Sequence, residues 1–279
     1  MMRGMFAAIS GLRVHQTMLD VTANDIANVN TIGYKSARSS FKDALNQVQS
    51  GASAPTANLG GVNAVSVGLG VQLNSIDNLM QSGAVQTTGS ALDVAIQGDG
   101  FFRVATHDGA AFGEVMYTRA GNFTRDSIGD LVTPEGYYVV GYTLDAGGAP
   151  TTTPTRITIP ANSASLSIGQ DGIVTSIDSA GTVTALAAIT TAKFPNDQGL
   201  ERISGNRFRV SNNSGPEVAG TPGDTNGLGV LIPGSIEMSN VDLAQEFTDL
   251  ISAQRGFQAN SRIISTTDEM LLELVNLKR

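Results

Sequence analysis

The chain has 279 residues, no cysteine and a formal net charge of −8 at pH 7. The missing thiol excludes a disulfide framework and a thiolate nucleophile or metal ligand. The acidic balance excludes the broad basic face that nucleic acid requires. With 32 glycines, 41% hydrophobic residues but only 15% charged and 5% aromatic ones, the composition suits a turn-rich β body with much of its surface packed against copies of itself.

From about Arg3 to Asn28 the residues Met5, Ile9, Leu12, Gln16, Leu19, Ala23 and Ile26 recur at alternating steps of four and three. That period holds one apolar stripe along one side of a helix. Val14, Met18 and Val21 add a second row, so two faces seek cover. Arg3 and Arg13 break up the first twenty residues, no small-residue cleavage pattern follows, and the spacing reads as an amphipathic helix rather than a signal peptide. No window reaches the roughly 18 apolar residues of a membrane span. Asn24 through Lys35 then stops the helix: Asn tolerates left-handed backbone and Gly33 can supply a positive φ.

Phe41, Ala44, Leu45 and Val48 predict a short further helix over 36–50. Residues 51–90 are rich in Gly, Ser, Asn and Ala and read as an extended spacer or loosely packed hairpin, with weak strand alternation over 72–80. Between about Leu92 and Gly234 short apolar runs alternate with turn signals, as in meandering antiparallel sheets. Val94 to Ile96, Phe101 to Ala105, Val115 to Thr118, Tyr137 to Tyr142, Ile157 to Ile159, Leu166 to Ile168, Ile173 to Ile177 and Ala187 to Phe194 are the runs. Gly98-Asp99-Gly100, Asp108-Gly109, Glu135-Gly136, Asp171-Gly172 and Gly181 suit tight hairpins, and Ala146 to Pro154 reads as a surface loop.

The last helix is expected to begin at Ser239, with Asp242 completing a capping box, and to end at Lys278 and Arg279, whose charge suits the helix dipole. Leu243, Phe247, Leu250, Gln254, Phe257, Ser261, Ile264, Asp268, Leu271 and Val275 repeat the four-three steps of the first helix. Two heptad stripes at opposite chain ends read as mates in a coiled-coil seam. The fold expected is mainly β with paired N- and C-terminal α-helices: 1–36 and 239–279 as the helical domain, 37–91 as spacer or hairpin, and 92–238 as an antiparallel β body.

Chemistry-bearing patterns are scarce. His15 and His107 fall in different elements. Gly98-Asp99-Gly100 lacks its third glycine, because position 103 is Arg, and it precedes a strand rather than a helix. The acidic residues gather at turns, where they cap backbone. No catalytic, cofactor-binding or metal-binding residue is predicted, and no cofactor.

Several blocks together resemble the bacterial flagellar axial family of rod and hook proteins. Ala8-Ile9-Ser10-Gly11-Leu12, followed by Asn24 through Lys35 with Asn24, Asn28, Gly33 and Tyr34, is similar to its N-terminal signature. Asp25 and Tyr34 depart mildly from that pattern. Leu92 through Phe102, with Gly98 and Gly100, then Tyr117 through Phe123 and Leu131 through Tyr137, resemble its body blocks. Glu237 through Leu243, with Ser239 and Asn240, and Gln254-Arg255-Gly256-Phe257-Gln258-Ala259-Asn260 complete the order.

Within the family, Gly256-Phe257 after Gln254-Arg255 looks like the short hook type, since distal rod proteins more often carry Ala-Tyr there. The resemblance implies a structural subunit of the flagellar hook, a flexible universal joint passing torque from rod to filament, outside the cell. It implies export by the flagellar type III apparatus without a cleaved signal, and assembly into a helical homopolymer. The implied partners are rod and hook–filament junction proteins and a hook cap, with no nucleic acid and no membrane insertion. The self-assembly seam would be Met5, Ile9, Leu12, Leu19, Ile26, Leu243, Phe247, Leu250, Phe257, Ile264, Leu271 and Val275. A distal rod protein and a secreted β-rich adhesin are the alternatives.

Overall fold

The computed structural model describes residues 2–56, 60–108, 111–145, 148–179, 181–224 and 227–277. The chain is mainly β with one long helix at each end, and it divides into two compact units. One comprises Met1–Ala27, Ala37–Asn78 and Asp242–Arg279; the other comprises Asn28–Ser36 and Leu79–Val241.

In the helical unit, α1 (Met2–Ala27) packs along α2 (Leu243–Asn276). Gly11 lies against Asn260 and His15 against Gly256, so the two helices run antiparallel. The capping box expected at Ser239 does not form. Asp242 is the N-cap and accepts from the backbone N–H of Ala244 and Gln245, while Ser239 Oγ accepts from Val241 N. A β-region carboxylate capping two orphan donors sets the start of the helix three residues later than expected. The expected end at Lys278 and Arg279 lies outside the described residues.

Over 36–50 the chain forms two strands, Ala37–Asp43 and Asn46–Ser50, rather than a helix. β1 (Ala37–Asp43) and β2 (Asn46–Ser50) form one side of a long hairpin, and β3 (Val65–Gly68) and β4 (Val71–Asn78) form the other. The competing force is long-range pairing. Ser40 and Ser75 share a 2.7 Å hydroxyl bond, and the link between β1 and β2 is tied by Ala44 N to Gly70 O and by Leu69 N to Leu45 O. None of these partners is visible in local periodicity. α1 covers the base of the hairpin: Val71 N donates to Ser10 Oγ at 3.2 Å and His15 meets Phe41 edge-on. Every residue of β2 and β3 is exposed.

The second unit is the β body. β5 (Val85–Thr87) pairs with Ser235–Glu237, and β6 (Val94–Gln97) pairs with Val230–Pro233. β7 (Phe101–His107) and β8 (Phe112–Thr118) form a hairpin at the middle of a larger antiparallel sheet. Its path runs from Ser163–Ile168 through Ile173–Asp178, Val183–Ile189, Tyr138–Leu144, β7 and β8 to Arg207–Arg209 and Glu201–Ile203. Two apolar clusters fill this unit, one around Phe102, Val139, Ile157 and Ile189, the other around Phe101, Tyr117, Phe194 and Phe208. The loop expected before Pro154 is instead the strand Pro150–Arg156, paired with Tyr138–Leu144. Threonine is β-branched, and Thr143, Thr151 and Thr153 bond to one another across the pair. The two prolines are tolerated on an edge strand. Conversely, Ile157 and Ile159 are buried core residues outside any strand.

Candidate functional site

The helical unit has almost no core of its own. Ala8, Val14 and Ala253 are its only buried apolar residues among those described. The α1–α2 contact includes Gly11 against Asn260 and His15 against Gly256; Ala8, Thr22 and Asp25 on α1 and Ala253 and Thr267 on α2 are buried as well. These residues flank the predicted stripes, and small groups there let the helices approach closely.

Met5, Ile9, Leu12, Leu19 and Ile26 are half-buried, as are Leu250, Ile264 and Leu271. Leu243, Phe247, Phe257 and Val275 are 41, 51, 37 and 67% exposed, and Ile251, Leu272 and Leu274 are exposed beside them. A large exposed apolar strip on a folded unit marks a surface for association.

Two glycines lie at the helix contact. A Cβ on Gly256 would sit 2.5 Å from the His15 ring, and one on Gly11 would sit 2.6 Å from the Asn260 amide. Gly256→Ala is therefore expected to lower the stability of the helical unit by about 1–3 kcal/mol through overpacking. That exceeds the roughly 0.5–1 kcal/mol that Ala offers in a helix interior. Gly4, with nothing within 4 Å of its would-be Cβ, is the control: Gly4→Ala should raise helicity by circular dichroism while Gly256→Ala lowers it.

At the other end of the pair, burial, with Asp25, Asp249 and Asp242 around it, pushes the Glu246 carboxyl up to about 7. A carboxyl whose folded pKa exceeds its unfolded value stabilises the fold below the unfolded value, about 4.5, and loses that contribution as pH rises through 7. Glu246→Gln should thus flatten the pH dependence of melting between about 4.5 and 7 and stabilise the chain at pH 8, by about 1 kcal/mol after solvent screening.

In the body, residues 28–36 and 235–241 meet at a buried ionic joint. Lys35 Nζ lies 2.5 Å from Glu237 Oε1, and Arg119 Nη1 lies 3.3 Å from Glu237 Oε2. All three side chains are essentially inaccessible. Glu237 also accepts from Gly83 N, Lys35 donates to Gln81 O, and Arg119 donates to Gly98 O while standing over the Phe101 ring. Burial pulls the Lys35 pKa down and Glu237 opposes that pull.

Gly33, at φ +67°, donates its N–H to Glu237 O. A Cβ there would meet Ala120 N at 2.6 Å, so both its backbone angle and its surroundings demand glycine. Asn240 Oδ1 accepts from Ser36 N, and its amide donates to Leu79 O and Gln81 O. Arg202 stands over Tyr34 and donates to Lys35 O, and Asn206 donates to Ile32 O.

The motif residues Gly33, Tyr34, Gly98 and Asn240 thus converge on one joint, and Gly100 lies in the same turn as Gly98. Asn28 accepts from the Thr31 hydroxyl in the turn that follows α1. Asn24, near the end of α1, and Gln254 and Arg255, on the exposed face of α2, lie in the other unit, and Arg255 donates to Gln258. Lys35, Arg119 and Glu237 were missed as site residues. Their separations of 202 and 118 positions leave no local signal beyond the fact that each lies in a motif block.

Among the described residues no group of His, Cys, Asp or Glu is arranged to hold a metal, and no helix is long and apolar enough to cross a membrane.

A β body closed by a buried ionic joint, and a helical unit with an apolar strip uncovered, define a structural subunit made to pack against others. Family models agree along the chain: "Flagella basal body rod protein" over residues 5–35, "Flagellar hook protein FlgE/F/G D1 domain" over 95–176, and "Flagellar basal body rod FlgEFG protein C-terminal" over 232–277. The flagellar basal-body rod protein FlgG of Bacillus subtilis is 48% identical over 280 residues, covering 100% of both chains. That of Agrobacterium fabrum is 39% identical over 272 residues, 96% of this chain and 97% of the relative. The flagellar hook protein FlgE of Borreliella burgdorferi is 27% identical over 447 aligned residues, 100% of both.

The chain belongs to the bacterial flagellar axial family of rod and hook proteins, which are structural rather than enzymatic. It is a component of the basal body and hook region, and such proteins assemble into polymers with other flagellar components. The similarity favours rod-named relatives over the hook reading of the sequence. Gly256, which suggested hook, lies against the His15 ring.

Proposed function

We propose that the chain is a subunit of the flagellar basal-body rod, of the distal type. It assembles helically with copies of itself and joins other rod segments below and the hook above. Export by the flagellar type III apparatus, in an unfolded state, precedes assembly. The full-length 48% identity to a rod protein carries this reading, and it is supported by the uncovered apolar strip on the helical unit. In the polymer, Met5, Ile9, Leu12, Leu19 and Ile26 on α1 and Leu243, Phe247, Leu250, Phe257, Ile264, Leu271 and Val275 on α2 are covered by neighbouring copies.

Purified protein should form straight tubes in negative stain as its concentration rises. Curved tubes would return the reading to hook, and monodisperse particles at every concentration would remove the polymer altogether.

A further inference from the structure

A cleft of about 470 Å³ opens in the β body between residues 28–32, 118–122, 133–135 and 205–207, all within one unit. That volume falls in the range of small-molecule sites. Carboxamides and hydroxyls dominate its lining. Asn28 accepts from the Thr31 hydroxyl at 3.0 Å, and the Asn206 amide donates to Ile32 O at 2.8 Å. Asn30 and Asn122 line the same cleft and, among the described residues, their carboxamides meet no hydrogen-bond partner. Each offers two donors and an acceptor, and Asn122 is half-buried. Asn206 is the non-glycine residue with a positive φ, 54°, among those described, and such backbone collects where ligands are held.

Charge in the cleft cancels. Glu135 and Arg207 are the charged residues of the lining, and Arg207 Nη2 lies 3.1 Å from Glu135 Oε2. The guanidinium also gives its Nε proton to Ser204 O and lies 4.0 Å from the centre of the Tyr137 ring. An anion would need an unspent cation, and a hard divalent metal would need more than one carboxylate. An extended peptide would need an open strand edge. Thr118 is already paired on both sides, with Phe102 and Arg207, and Arg207 pairs onward with Ile203. The lining therefore suits an uncharged ligand that both gives and accepts hydrogen bonds.

We propose that this cleft binds a neutral saccharide, held by the carboxamides of Asn30 and Asn122 with its C–H face against Ile32, Ala120 and Pro134. A sugar hydroxyl donates and accepts at one oxygen, so neighbouring hydroxyls can meet both halves of a side-chain amide. The Thr133 hydroxyl accepts from Tyr137 N at 3.2 Å and keeps its own proton for the ligand. The paired Glu135 and Arg207 close the wall without selecting for charge. The inference concerns the body alone, and its test on unassembled chains is independent of the polymer reading.

Maltotriose and tri-N-acetylchitotriose, one bearing hydroxyls alone and the other acetamido groups as well, are titrated into dilute full-length protein and followed by saturation-transfer NMR. At least one should bind with a Kd of about 1 mM or tighter. Asn30→Ala with Asn122→Ala removes two neutral hydrogen-bonding groups and should weaken that binding about tenfold. The thermal melt should stay unchanged, because neither side chain has a partner to lose. Asn30→Ala alone, at an exposed position, should account for about threefold. Raising the salt from about 20 to 500 mM should change the affinity less than about twofold. A capped alanine–glycine hexapeptide should not displace the sugar. Failure of both sugars to bind at about 10 mM, affinity unmoved by the double substitution, a strong salt dependence, or displacement by the peptide would each overturn the saccharide assignment.

Discussion

Glu237→Ala is expected to destabilise the β body by about 3–5 kcal/mol, the cost of leaving buried charge without its counter-ion. Lys35 and Arg119 both face this carboxylate, so its removal strands two cations, and the N–H of Gly83 loses its acceptor. The pH dependence separates this cause from lost packing. Burial already holds the Lys35 pKa below its ordinary value, and Glu237 is the main force opposing that shift. Without Glu237 the folded protein binds fewer protons than the unfolded chain, so the variant's stability should rise as pH climbs toward 10.5, the ordinary lysine value. Urea midpoints followed by tyrosine fluorescence at pH 7 and 9.5 give the measurement. A loss under about 1 kcal/mol, or one that does not shrink at the higher pH, would mean that the joint is not held by charge. Lys35→Met, Arg119→Met and Glu237→Met together should recover much of the loss, since an apolar replacement of a whole buried ion cluster is often neutral.

That joint also shows where the sequence could be read and where it could not. Both terminal helices follow from their four-three apolar steps, and the body strands from short Val/Ile/Phe runs punctuated by Gly-containing turns. These signals sit within a dozen residues of one another. The strand over 37–50 is different, because its hydrogen bonds go to residues some thirty positions away and its local apolar spacing mimics a helix. The strand Pro150–Arg156 was obscured by two prolines that an edge position tolerates. Gly33 was legible as a positive-φ residue, yet its second constraint, the backbone of Ala120, is not local. For the helix contact, periodicity marked the most apolar row and passed over Gly11 and Gly256, which lie against Asn260 and His15. Close approach rewards small residues, and hydropathy does not count them.

Because Leu243, Phe247 and Val275 stand exposed in the apolar row, their removal should spare the monomer and stop the polymer. Leu243→Ser, Phe247→Ser and Val275→Ser alter side chains that are 41, 51 and 67% exposed. Each exposed substitution should shift monomer stability by no more than about 0.5 kcal/mol. Covering each of these side chains in a tube would contribute about 1.5–3 kcal/mol. Even after ordering costs take half of that, the triple variant loses enough to raise the assembly concentration about a hundredfold or more. Sedimentation of wild-type and variant protein over a concentration series reads this directly, with thermal melts of dilute protein as the control. Assembly of the triple variant at the wild-type concentration would show that neighbours meet through some other surface. Equal loss of monomer stability and assembly would show that the row serves the fold of the subunit itself. The expected pattern, an unchanged melt with assembly lost, is what distinguishes a surface kept for neighbours from a core that merely failed to close.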